Sequence, residues 1–169
     1  MKAKLIIEGK EIEIEISEEE CKKIQPPKEK ETGYERVPDP NGYFYVNAKG
    51  EVEYGVDLYD YIDDKYYNSA NYYSSKDIAE NNARADKLVR QLRRFAVEHN
   101  ECGVNFNDTN AKKYYICYDY ENNELNVSFV FRSRKFGVIY FDLGETANAA
   151  IAEFRDELIW YFTEYKDSL

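Results

Sequence analysis

Twice along this chain an aromatic pair closes a strand-like run and opens an amphipathic helix. Tyr72-Tyr73-Ser74-Ser75-Lys76-Asp77-Ile78-Ala79 reads alongside Tyr140-Phe141-Asp142-Leu143-Gly144-Glu145-Thr146-Ala147. Upstream, Tyr43-Phe44-Tyr45-Val46 is matched by Tyr114-Tyr115-Ile116-Cys117. Self-similarity at a fixed spacing constrains architecture more than any single segment does. Strands followed by a helix, twice, imply an α+β fold with antiparallel strands and the helices packed on one side. The expectation is an α+β body over residues 34–169, built from a duplicated strands-then-helix unit at 34–100 and 110–169.

Within the first unit, Tyr43 to Val46 and Glu51 to Tyr54 flank the turn Asn47-Ala48-Lys49-Gly50 and read as a hairpin. Residues 57–71 show no period and read as an acidic loop. Ser74 or Ser75 caps a long helix that runs to about Glu98. At roughly 100° per residue, Ile78, Ala85, Leu88, Val89, Leu92, Phe95 and Ala96 share one face, with Lys87, Arg90 and Arg94 opposite. The second unit reads as three antiparallel strands across 112–141. Tyr114, Ile116 and Tyr118 share a face of the first, and Leu125, Val127, Phe129 and Phe131 a face of the second. Gly137 to Phe141 contributes the third. A last helix from about Glu145 to Tyr165 turns Ala147, Ala150, Ile151, Phe154, Leu158, Tyr161, Phe162 and Tyr165 to the core.

A β-hairpin precedes this body. Ile12, Ile14 and Ile16 alternate with Glu11, Glu13 and Glu15 in strict period two, facing Leu5 and Ile7. Ser17 and Glu20 form a capping box for a short helix, which Pro26-Pro27 ends. Residues 1–25 therefore read as an appendage and 26–33 as a linker.

Among 169 residues, 33 acids stand against 23 bases, a net charge of −10. No apolar run nears the ~20 residues of a membrane span. The charged opening is unlike a secretory signal. Cys21, Cys102 and Cys117 are too scattered for a disulfide framework or a CxxC pair. A cytoplasmic chain is the expectation. Phosphate-binding glycine loops and the G-x-S-x-G nucleophile elbow are absent from the sequence. His99, the one histidine, sits at a helix end, where its charge is favourable. No cofactor and no catalytic residue are expected. Asp57, Asp60, Asp63 and Asp64 lack the spacing of a calcium loop and read as a solvated cluster. A metal-dependent carboxylate enzyme stays open, because acid–base pairs drawn from different strands have no fixed spacing.

Charge is segregated along the chain. Residues 51–64 hold six acids and no base, whereas 65–100 hold seven bases and four acids. Net −10 repels nucleic acid at long range, so direct nucleic-acid binding is not expected. Acidic patches suit a partner with a basic surface. The expected partner-binding residues are Asp57, Asp60, Asp63 and Asp64, with Tyr59 and Tyr61 between them. A second set centres on Trp160, which falls at about 220° from Ala147 on the wheel of the last helix. There Glu153, Asp156, Glu157 and Glu164 surround it. Either Trp160 packs under the N-terminal hairpin or another strand, or it is an exposed tryptophan ringed by carboxylates, which suits an interface anchor.

The runs YERV…GYFYVNAKGEVEY…NYYSSKDIAENNARADKLVRQLRRFAVEHN and KYYICYDYENNELNVSF…FGVIYFDLGETANAAIAEFRDELIWYFTEY resemble small proteins of phages and prophages of Gram-positive bacteria. The opening KLIIEGKEIEIEISEEE is similar to a hairpin prefix of that group. Gly144 departs from the polar residue expected at that helix start. The shared motifs are structural, so no functional residue carries over. What the resemblance implies is context: an acidic inhibitor of a host defence protein, such as a CRISPR nuclease, in the manner of anti-CRISPR proteins. A nucleotide-binding module that sequesters a defence signalling nucleotide in an aromatic-lined pocket is the alternative.

Overall fold

The structure, a computed structural model, describes residues 2–7, 10–15, 17, 31–37 and 41–166. Two compact units divide the chain, Met1–Glu31 and Thr32–Leu169. In the first, β1 (Lys2–Ile7) and β2 (Lys10–Glu15) pair antiparallel, with Leu5 opposite Ile12 and Ile7 opposite Lys10. The short helix expected after Ser17, Cys21 and most of the expected linker lie outside the described residues.

The second unit is α+β. Its strand pairs are β3 (Gly42–Val46) with β4 (Val52–Val56), and β5 (Lys113–Asp119) with β6 (Glu124–Val130), both antiparallel. Gly50, at φ +85°, closes the first turn, where Asn47 Oδ1 accepts from the N–H groups of Lys49 and Glu51. Gly42 leaves room for the Tyr54 ring, whose tip lies where a Cβ would stand.

Each hairpin is joined to a helix start by one pair of backbone hydrogen bonds. Phe44 exchanges N–H···O bonds of 2.8 and 2.9 Å with Tyr73, and Tyr114 does the same with Phe141. Three residues beyond each bridge a helix begins, at Lys76 and at Gly144. Ala79 and Ala147 then occupy the same place on the first turn, and neither is exposed to solvent. The two hairpin-to-helix junctions thus share one geometry, with the upstream alignment displaced by one. Phe44 matches Tyr114, so Tyr43 corresponds to Lys113, not to Tyr114. An aromatic follows an aromatic in both runs, and hydropathy alone cannot tell the two registers apart.

The α1 helix (Tyr61–Asn68) occupies the segment expected to be a loop. Asp60 caps it, accepting from the N–H groups of Ile62 and Asp63 at 2.7 and 3.1 Å, and Asp63 reaches back to the Asp60 N–H. That is a capping box with aspartate at its third position. The helix lacks an apolar period because little of it is buried.

Ser75 caps α2 (Lys76–His99). Its N-terminal end buries Ile78 and Ala79 with Tyr73, against Tyr34, Phe44, Val46 and Val52. Its C-terminal half buries Leu88, Leu92, Phe95 and Ala96 in the larger core. Ile116, Leu125 and Val127 from the second hairpin pack there, as the period-two pattern predicts. The expected third strand is reduced to the single Phe141 bridge. Gly137, at φ +75°, turns the chain just before it, which a continuous strand does not allow.

The last helix is two. The α3 helix (Gly144–Glu153) stops at Phe154, whose backbone at φ −111° and ψ 23° leaves helical geometry, and α4 (Arg155–Thr163) follows. Phe154 turns its ring edge-on to Phe95 at 5.8 Å. No helix among the described residues is long and apolar enough to cross a membrane.

Candidate functional site

Segment 32–37 belongs to the body. The Glu35 carboxylate accepts from the backbone N–H and hydroxyl of Thr32, from the Gly33 N–H and from the Ser74 hydroxyl. Those bonds hold its pKa down to about 2, the Thr32 hydroxyl contributing most. Arg36 is thereby fixed beside the aspartates.

Asp57 is fully buried. Its Oδ2 accepts from Arg36 Nε at 2.8 Å and the Tyr72 hydroxyl at 2.9 Å; its Oδ1 accepts from Arg36 Nη2 at 3.0 Å and the Tyr59 N–H at 2.8 Å. Two bonds on each oxygen saturate a carboxylate. The Arg36 hydrogen bonds are the main reason its pKa sits near 2. Asp63 is buried too, accepting from the Tyr43 hydroxyl at 2.9 Å and from the N–H groups of Leu58 and Asp60. Tyr43 and Tyr72, one partner of each carboxylate, stack on each other at 4.1 Å. Burial raises the pKa of both phenols, that of Tyr72 to about 12.

The four aspartates are therefore not a solvated cluster. Asp57 and Asp63 face inward, Asp60 caps α1, and Asp64 bonds Arg36 Nη1 at 2.6 Å. A dense run of acids reads as a solvated loop unless its cation is seen, and Arg36 lies 21 residues away from Asp57. Among the described residues no group of three or more His, Cys, Asp or Glu is placed to hold a metal ion.

What this network does is present a surface. The N–H groups of Leu58, Tyr59 and Asp60 are all tied to Asp57 or Asp63. The apolar side chains of the same stretch point outward, Leu58 at 69%, Tyr61 at 70% and Ile62 at 58% exposure. Tyr54 and Val56 of β4 are exposed as well. Tyr59 is half exposed, its ring 4.4 Å from the Arg36 guanidinium, and its φ of 55° marks a held, left-handed backbone. Of the residues expected here, Tyr59, Asp60, Tyr61 and Asp64 are exposed on this stretch. Leu58 and Ile62 were not anticipated, although an apolar pair interrupting an acidic run signals them.

Trp160 is buried, at 7% exposure. The Arg84 guanidinium of α2 lies 4.0 Å from its ring, and Arg84 in turn forks onto Glu157 at 2.8 and 3.0 Å. That bond lowers the Glu157 pKa. Leu158 and Trp160 lie about 200° apart on a helix and are both buried, so α4 is covered on two sides. The wheel left both packing and exposure of Trp160 open, and the structure has it packed. Glu153, Asp156 and Glu157 line a cleft with Arg84 and Lys87 of the same chain. Glu164 is exposed at the end of α4. The exposed-tryptophan anchor is thus overturned.

His99 stacks on Phe95 at 4.0 Å, and its Nδ1 donates to the Phe95 carbonyl, so that nitrogen carries the proton. Cys117 is half-buried, and burial raises its pKa. No protein-family model, curated protein or solved structure matches the chain.

Proposed function

We propose that this is a non-catalytic binding protein that docks on the basic surface of a partner protein through the face formed by Tyr54, Val56, Leu58, Tyr59, Tyr61 and Ile62. The observation that carries it is the contrast between backbone and side chains at 58–62. Carboxylates tie the backbone down, yet the large apolar side chains are left to water. A contiguous exposed apolar patch on an otherwise polar surface marks an interaction site. Its rigidity removes an ordering cost that binding otherwise pays. Glu51, Glu53 and Asp60 remain exposed on the same stretch, which favours a cationic partner.

The resemblance to phage proteins makes a host defence protein with a nucleic-acid groove, such as a CRISPR nuclease, the partner class to test first. Purified nuclease would be immobilised and the full chain titrated over it. The expected result is saturable, salt-weakened binding that Leu58→Ala with Tyr61→Ala reduces at least tenfold. Thermal melts of the variant should match the unaltered chain, because both side chains are exposed. Binding that survives the double variant would remove this face from the reading.

A further inference from the structure

Segment 129–136, Phe129-Val130-Phe131-Arg132-Ser133-Arg134-Lys135-Phe136, interleaves three aromatic rings with three bases and contains no acid. In a chain of net charge −10 this is a local reversal. Beyond the end of β6 at Val130 the segment leaves the sheet. Phe131 is exposed at 42%, and Phe136 is fully exposed. Two exposed rings flanking three bases form a pattern that suits stacking and phosphate contact together.

Three open clefts run along this segment. Phe131, Arg132 and Ser133 wall one of about 570 Å³ with Thr109 and Asn110. Arg134, Lys135 and Phe136 wall the next, about 540 Å³, with Arg93 of α2. Arg93 and Arg134 also wall a third of about 620 Å³, beside Phe106 and Tyr140. Among the described residues, no carboxylate stands within ion-pair distance of Arg93, Arg132, Arg134 or Lys135. Aromatic rings hold two of these cations instead. Arg134 lies 5.4 Å from the Phe106 ring centroid, and Lys135 lies 4.4 Å from that of Tyr115 while donating to its hydroxyl at 3.0 Å. A ring orients a cation without neutralising it.

From this arrangement we infer that the surface formed by Arg93, Phe106 and residues 131–136 binds single-stranded nucleic acid. Successive cations take successive phosphates, and Phe131 and Phe136 offer faces on which unpaired bases stack. A duplex keeps its base faces to itself and would leave both rings unused. Three clefts, one walled by Arg132 and two sharing Arg93 and Arg134, exceed what one free nucleotide fills. The long-range repulsion from the acidic remainder keeps such binding weak at a distance and confines it to this surface.

The test is fluorescence anisotropy with labelled oligothymidylate and oligouridylate, each about twelve nucleotides long, titrated with the full chain at about 50 mM salt. Saturable binding is expected. Its logarithm should fall with the logarithm of salt at a slope near −2, for about three phosphate contacts at ~0.7 each. Arg134→Ala should make that slope shallower by ~0.7. Phe136→Ala should weaken binding roughly tenfold at unchanged slope, the signature of lost stacking. Phe136 is fully exposed, so that variant keeps the fold, which a thermal melt verifies. Absence of binding overturns the inference. So does equal affinity for a duplex of the same sequence. Competition by thymidine monophosphate as strong as by the oligomer overturns the strand and leaves a single-nucleotide pocket. Binding that ignores both variants moves the site elsewhere.

Discussion

Arg36 grips Asp57 through two parallel hydrogen bonds, at 2.8 and 3.0 Å, from a segment that precedes the first hairpin of the body. The guanidinium also reaches Asp64 and lies over the Tyr59 ring, so one side chain ties together three parts of the docking face. Its own proton is held more tightly than usual, chiefly by the Asp57 hydrogen bonds. Asp57→Ala should cost roughly 3 kcal/mol in urea unfolding, because Arg36, Tyr72 and the Tyr59 N–H lose their acceptor inside the fold. Reversing all four aspartates to lysine should abolish the cooperative melt. A variant that melted normally would show that the network is not structural.

Acid should act through the same pair. The pKa of Asp57 sits near 2 in the folded chain against an ordinary value near 4, and Glu35 behaves likewise. A lowered folded pKa contributes stability that is fully present above about pH 4 and is lost as pH falls from there through about 2. Arg36→Ala removes the main cause of the Asp57 shift. Its acid unfolding should therefore begin at higher pH than that of the unaltered chain, which circular dichroism across pH 2–6 would detect. Coincident acid transitions would count against the pair.

Fluorescence reads the burial of Trp160. Trp160 is the chain's one tryptophan, so its emission should be blue-shifted and resistant to iodide in the folded protein. Arg84→Ala uncovers the ring and should shift the emission to the red. Trp160→Ala should destabilise by about 3 kcal/mol through the cavity it leaves. A red, readily quenched signal from the unaltered chain would contradict the packing described above.

The hairpin unit and the body should separate. Residues 32–169 form their own compact unit, anchored at its start by Glu35 on Thr32 and Ser74. Expressed alone, they should melt cooperatively. Expression from residue 36 onward should lower the melting temperature, because the Glu35 bonds are then gone. Equal melts would mean that segment 32–35 adds nothing.

Period and capping made most elements legible in the sequence. Tyr114, Ile116, Leu125 and Val127 lie where alternation puts them, and Ser75 begins the long helix. Three things were not legible, each for a physical reason. The capping box Asp60–Asp63 announces a helix that buries too little to show a period. Phe154 ends α3 without proline or glycine, through packing on Phe95 that no local rule encodes. Arg84 was one more charged residue on a helix, until the fold brought Trp160 and Glu157 beneath it. The site followed the same division: exposed Tyr61 was readable as an aromatic among acids, while burial of Asp57 depended on a distant arginine.

Lys113 stands where Tyr43 stands in the first hairpin, and both are buried. Tyr43 satisfies its hydroxyl with Asp63. Among the described residues no carboxylate pairs with Lys113; its ammonium donates three times, to the carbonyls of Asp108, Ala111 and Phe131. An ammonium has three N–H donors, so the group is satisfied without a counter-ion. These bonds staple loop 106–112 to the start of the basic segment at 131. Lys113→Met keeps the stem and its packing but strips three part-buried carbonyls of their donor. Relieving a buried charge offsets part of that loss, while each lost hydrogen bond costs about 1 kcal/mol net. Net destabilisation of roughly 2 kcal/mol is expected in urea unfolding, with faster proteolysis confined to loops 105–112 and 131–137. An unchanged urea midpoint with an unchanged cleavage pattern would mean that the staple holds nothing.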